Sequence, residues 1–218
     1  MYTTKELLDL TKTIAAPLFE NTTYPWEALD GIKDFILALG PTLPAEEFDN
    51  PSEGVWIARD ARLFPSAYIG APCIIDHGAE IRHCAFIRGS AVVGRNAVVG
   101  NSVELKNAVL FDNVQTPHYN YVGDSVLGYK SHMGAGSITS NVKSDKTLVV
   151  VKGDEEIPTG RKKFGAVLGD FVEVGCNSVL NPGTVIGRHT NVYPTSSVRG
   201  VIPENSIYKG KNDIAAKK

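Results

Sequence analysis

From Ile57 onward the chain repeats its side-chain character every six residues, and very few backbone architectures can use that period. Ile57, Leu63, Ile69, Ile75, Ile81, Ile87, Val93, Val99, Leu105 and Phe111 share one phase. Four places after most of them stands something small or β-branched: Ala61, Ala67, Cys73, Ala79, Ala85, Ala91, Ala97, Val103 and Val109. An α-helix needs a 3.6-residue spacing, and a sandwich needs turn clusters at irregular intervals. A parallel β-helix accepts a strict six, because each short strand is buried only by the rungs stacked on it. The sequence therefore predicts an all-β solenoid over residues 55–218.

The phase slips at a five-residue step, Val122 to Leu127, and resumes through Met133 and Thr139. It is lost over residues 142–165 and restored at Leu168, Val174, Leu180, Ile186, Val192 and Val198. The gap reads as an excursion leaving the ladder, either a functional loop or a tolerated insertion. Residues 1–54 differ in kind. Thr3 and Glu6 make a capping box ahead of Leu7, Leu10 and Ile14 at helical spacing, and Pro17 is expected to stop that helix. A second helix is predicted from Pro25, with Trp26, Leu29, Ile32, Ile36 and Leu39 on one stripe and Gly40-Pro41 ending it. Helices this short cannot bury a stripe alone, so they are expected to dock on the body or on a neighbour. Residues 41–54 read as a linker.

A net charge of -2 over 218 residues gives no reason to expect nucleic acid or an anionic membrane as partner. No apolar run approaches the length of a membrane span, and the N-terminus lacks the apolar core of a secretory signal. Three cysteines, Cys73, Cys84 and Cys176, make no disulfide framework. A cytoplasmic location is the expectation.

Three six-residue units close one triangular coil, so residues 18 apart stack. Arg88 and Lys106 have that spacing, and rungs lie about 4.8 Å apart. Stacked cations repel; they make sense around a phosphate, unless both swing into solvent. His118 lies where the period slips, and imidazole is the natural base for deprotonating an ammonium. Glu104 is placed to orient it or to balance charge, though a lone histidine is also often a plain surface residue.

The runs Pro117-His118, Tyr121-Val122-Gly123-Asp124, Met133-Gly134-Ala135-Gly136-Ser137-Ile138-Thr139 with Asn141, Thr159 through Ala166, Leu168-Gly169-Asp170 and Asn181-Pro182-Gly183 carry a resemblance. They resemble, in order, the acetyltransferase domain of bifunctional N-acetylglucosamine-1-phosphate uridyltransferase/glucosamine-1-phosphate acetyltransferase, and the C-terminal domains of related sugar-1-phosphate nucleotidyltransferases. The resemblance implies a left-handed β-helix, a homotrimer with sites between subunits, and acetyl-CoA as cosubstrate. It implies His118 as general base, and Arg88, Lys106, Tyr121, Asn141 and Lys163 as ligands of an amino-sugar phosphate or nucleotide amino sugar. Ala135, Cys176 and Pro194 are then expected along the pantetheine groove. Three positions depart from the family pattern: His132 replaces an asparagine, Asn120 a threonine, and Pro194 a small residue. They point to another sugar or to lost activity. The alternative is a non-catalytic binding or assembly module beside a nucleotidyltransferase. Nucleotidyl transfer itself is not expected, since residues 1–54 hold no Gly-rich phosphate loop.

His77 and His83 share a repeat phase, but they fall on adjacent faces and no third histidine completes a zinc site, so solvated surface histidines are the expectation. The basic tail, Lys209, Lys211, Lys217 and Lys218, either meets a CoA phosphate or stays solvated.

Overall fold

A computed structural model describes residues 1–217. The solenoid is a left-handed parallel β-helix of about nine turns, with three faces built from vertically stacked two- and three-residue strands. Face one stacks Tyr68–Ile69, Phe86–Ile87, 104–106, 121–123, Ile138–Thr139, Val179–Leu180 and Ser197–Val198. Face two runs from Val55–Ala58 through Cys73–Ile75, Ala91–Val93, 108–110, 125–127, Ala166–Leu168 and Thr184–Ile186 to Val201–Ile202. Face three runs from Arg62–Leu63 through Val98–Asn101, Gln115–His118 and His132–Met133 to Ser206–Gly210, where Asp213–Ala216 folds back antiparallel. The inward aliphatics, Ile75, Ile81, Ile87, Val93, Val99 and Leu105 among them, are fully buried.

Two five-residue steps, not one, interrupt the six. Val93 stacks on Leu110 and Leu110 on Leu127, so Leu110 rather than Phe111 continues the inward row. Phe111 is still 0% exposed, because it leaves the core at the corner and meets Phe19 edge-on, ring centroids 5.6 Å apart. Thr116 takes the next inward place and satisfies its hydroxyl on the Val98 carbonyl at 3.0 Å.

The N-terminal segment docks on the body. The middle residues of face two point outward and are apolar: Ile74, Val92, Val109, Val126, Val167 and Val185, each 0% exposed. Leu7, Phe19, Trp26, Leu29, Ile32 and Ile36 cover them. The first predicted helix is broken into Thr4–Leu7, a 3-10 turn at Leu10–Lys12, and Ala16–Phe19. Pro17 opens the last of these rather than stopping the first, since proline lacks only a donor that a first turn leaves unused. The second runs as a 3-10 turn, Pro25–Asp30, into the α-helix Ile32–Leu39. Part of the expected linker is a strand, Phe48–Ser52, antiparallel to Val55–Ala58. The excursion holds its own hairpin, Val150–Lys152 with Glu156–Pro158. No helix among the described residues is long and apolar enough to cross a membrane.

Candidate functional site

Both short steps fall at the corner between faces one and two, and that corner builds the site. Strands Glu104–Leu110 and Tyr121–Leu127 run straight through it. The tight bend puts Asn107 and Asp124 at φ 51° and 48°, a left-handed conformation that Asn and Asp accept more readily than most residues. Asp124 is thereby turned into the wall, its side chain 3% exposed. Its carboxylate accepts from Lys106 Nζ at 2.9 and 3.0 Å and from Asn107 Nδ2 at 3.0 Å. Asn141 Nδ2 donates to it as well, and to Tyr121 Oη at 3.1 Å. A Cβ on residue 123 would lie 2.3 Å from Tyr121 Oη, so Gly123 leaves the phenol room to fold over the corner. Burial, then the charges of Asp124 and Glu104, push the Tyr121 hydroxyl above its ordinary pKa and keep it a neutral hydrogen-bonding group.

Arg88 and Lys106 do stack on one face, one place after Ile87 and Leu105 in adjacent rungs. They do not frame an empty anion site between them, because each has a carboxylate from the following rung or strand. Arg88 Nη1 meets Glu104 Oε1 at 2.9 Å, and Lys106 meets Asp124. Glu104 is therefore the partner of Arg88, not of His118.

His118 ends its strand at the other edge of face one, the corner with face three. Its imidazole is exposed and makes no hydrogen bond among the described residues, while its carbonyl accepts from Gly136 N at 3.0 Å. Asn177 N to Ala135 O and Thr195 N to Cys176 O, both 2.8 Å, continue the same ladder. His118, Ala135, Cys176 and Pro194 thus form one column along one edge. Lys106 and Asn141 lie along the opposite edge, and the Tyr121 side chain reaches Asn141 from a backbone position three residues after His118. Asn120 is buried and spends its amide on the carbonyls of Gly134 and Ser137 at 2.8 and 3.0 Å. His132 Nδ1 lies 2.8 Å from Glu173.

The excursion leaves at Asn141 and returns at Gly165, whose N–H bonds to the Asp124 carbonyl at 2.8 Å. It therefore hangs over the Asp124 corner. Between it and the helix Ile32–Leu39 opens a cleft of about 540 Å³, with Lys106, Asn107 and Asp124 at its base and Lys163 on its rim. Sequence reasoning missed Asp124 and Asn107 as site residues. A residue 17 or 18 places after Lys106 was the available signal, and Asp124 lies there. Nothing in the sequence signalled that the N-terminal helix supplies a wall.

Elsewhere, His77 sits between Asp60 and Glu47 at 3.0 and 3.1 Å. No group of three His, Cys, Asp or Glu side chains among the described residues is arranged to hold a metal. Burial pushes the Cys73 thiol up to about 12. Lys217 bonds to the His189 carbonyl and to Asn191; Lys218 lies outside the described residues.

A family model described as the GMPPB C-terminal domain matches residues 69–207. Over 104 residues the chain is 35% identical to a bifunctional sugar-1-phosphate nucleotidylyltransferase/acetyltransferase of Sulfurisphaera tokodaii, covering 47% of this chain and 26% of that protein. It is 31% identical over 110 residues to the bifunctional protein GlmU of Methanococcus aeolicus, covering 50% and 27%. The chain spans about a quarter of the length of these curated relatives. Among solved structures, a UDP-N-acetylglucosamine acyltransferase of Francisella novicida aligns at TM-score 0.46 and 12% identity, covering 72% of this chain and 65% of that one. The acetyltransferase domain of PglB from Neisseria gonorrhoeae, in complex with acetyl coenzyme A, aligns at 0.32 and 15%, covering 75% and 57%.

Proposed function

Since the chain belongs to the GMPPB C-terminal domain family, whose sequence relatives include bifunctional nucleotidylyltransferase/acetyltransferases, we propose that it is an acetyl-CoA-dependent N-acetyltransferase. Its substrate is an amino-sugar phosphate or a nucleotide amino sugar, and it works as a homotrimer in the cytoplasm. The observation that carries this reading is the column at one edge of face one, an unpartnered imidazole followed by Ala135, Cys176 and Pro194. A pantetheine arm laid along that column brings its thioester to His118. His118 takes the ammonium proton and releases it to solvent, and the freed amine attacks the thioester carbonyl. The imidazole then takes the second N–H proton from the tetrahedral adduct, and the C–S bond breaks as the imidazolium gives that proton to the CoA thiolate. The sugar is held by the Lys106, Tyr121 and Asn141 edge of a neighbouring copy, with Lys163 above it. Positioning supplies most of the rate in such a site.

The test offers acetyl-CoA with a panel of amino-sugar 1-phosphates and nucleotide amino sugars and measures free CoA. Turnover with one of them, reduced about a hundredfold or more in His118→Ala, is expected. A folded protein that neither turns over nor binds CoA overturns the reading. One observation favours a non-catalytic binding or assembly module instead. Asn120, which stands two places after the histidine, is locked into the backbone rather than offered to a ligand. Calorimetry showing sugar-phosphate binding without CoA binding would select that module.

A further inference from the structure

The cleft over the Asp124 corner holds more positive charge than its own carboxylates balance. Five cationic side chains line it against two carboxylates. Asp124 is used by Lys106, and Asp30 by Arg161, whose guanidinium is only 11% exposed. Lys33, Lys162 and Lys163 remain, and among the described residues none of the three forms an ion pair. They come from two segments far apart in sequence: Lys33 from the helix Ile32–Leu39, the other two from the excursion. The two segments are held together at this point. Trp26 packs on Phe164 with ring centroids 5.6 Å apart, and Asp30 pairs with Arg161. The packing therefore sets three exposed ammoniums around one opening, a local excess of positive charge that attracts an anion.

We infer that Lys33 is a phosphate ligand, so that the N-terminal helix is a working wall of the substrate site and not only a cover for face two. This rests on the reading of the cleft as the sugar-phosphate end of the site. Arg88 and Lys106 are already neutralised by Glu104 and Asp124, so the phosphate goes to the free ammoniums at the cleft mouth, while the Asp124 hub orients the sugar. The ligand chemistry is a phosphate ester, either the monoester of a sugar 1-phosphate or the diphosphate of a nucleotide sugar. The Asp30–Arg161 pair is a positioning contact that holds Lys162 and Lys163 opposite Lys33.

The test measures binding of glucosamine 1-phosphate and inorganic phosphate, and separately of uridine diphosphate and pyrophosphate, by calorimetry without acetyl-CoA. The proteins are the full chain, Lys33→Gln, Asp30→Asn, and Lys5→Gln as an exposed control. Lys33→Gln is expected to weaken the preferred probe about tenfold and to flatten the salt dependence of its affinity, with an unchanged melting temperature. Lys33→Arg should restore most of the affinity. The pair of probes that binds more tightly tells monoester from diphosphate. A folded Lys33→Gln protein with wild-type affinity for every probe overturns the inference, as does a wild-type chain that binds none of them. Free-CoA assays on the same proteins separate this from the enzymatic reading. Phosphate binding lost in Lys33→Gln, with no turnover in the wild type, keeps the ligand assignment and removes the acetyltransferase. Turnover with unchanged KM in Lys33→Gln does the reverse.

Discussion

Asp124 and Arg88 sit two rungs apart with the strand Glu104–Leu110 between them, and their ion pairs differ in worth because their exposures differ. Lys106 and Asp124 are 26% and 3% exposed, and three donors converge on the carboxylate. Asp124→Asn keeps the shape but leaves an ammonium and two amides facing a neutral group. A loss of about 1–3 kcal/mol in urea unfolding is expected. Arg88→Gln, whose pair is 47% and 32% exposed, should leave the urea midpoint close to that of the wild type. Equal losses in the two variants would remove Asp124 from the centre of the site. A second carboxyl answers to pH. Burial, with a further push from nearby Asp76, raises Asp112 above its ordinary value of 3.8. The folded state then binds the proton more tightly than the unfolded one. Its contribution is present below the unfolded value and is lost as pH rises through the raised native value. Asp112→Asn keeps an acceptor for the Arg95 N–H, which now bonds at 2.9 Å. The urea midpoint of this variant should gain on the wild type as pH goes from about 4 to 7; a constant difference between the two would contradict the sign.

Among the elements, the N-terminal segment was the least legible. Helical stripes at Trp26, Leu29, Ile32 and Ile36 were readable, and all four are buried. Their landing place was readable in principle too, since Ile74, Val92 and Val109 recur at 17 or 18 residues on positions that should face water. A period of six describes which residues enter the core, not what lies on the outside of each face. The phase of Phe111 was misread for a related reason: at a tight corner an aromatic one place beyond the inward site is also apolar, because the docked segment buries it. Asp124 escaped because an aspartate in a turn is ordinary until its neighbours in the stack are counted. Trp26→Ala tests the docking. Trp26 is 2% exposed, stacked on Tyr24 at 4.6 Å and against Phe164. Its truncation should cost about 3–5 kcal/mol in chemical denaturation. Leu37→Ala, on the 42% exposed side of the next helix, should stay within about 1 kcal/mol. A small effect at Trp26 would mean that the segment rests loosely on face two, and the cleft wall with it.

On the scale of the whole molecule, the two halves of the proposed site lie along the two edges of face one. His118 and its column run down one edge of face one and Lys106, Asp124 and Asn141 down the other, with the Tyr121 side chain reaching from the first edge to Asn141. Face two is closed to partners by the N-terminal segment. Face one keeps exposed apolar side chains in its first rungs, Tyr68 at 61% and Phe86 at 42%, packed edge-on at 5.5 Å. A cyclic trimer would set the imidazole edge of each copy beside the lysine edge of the next. Subunit mixing tests this without knowledge of the interface. His118→Ala and Asn141→Ala should each be inactive alone. Unfolded together and refolded at equal amounts, they should recover about a quarter of wild-type turnover, since one interface in four then joins an intact imidazole edge to an intact amide edge. If each site were built within a single chain, every site would carry one lesion and the mixture would stay as inactive as its components.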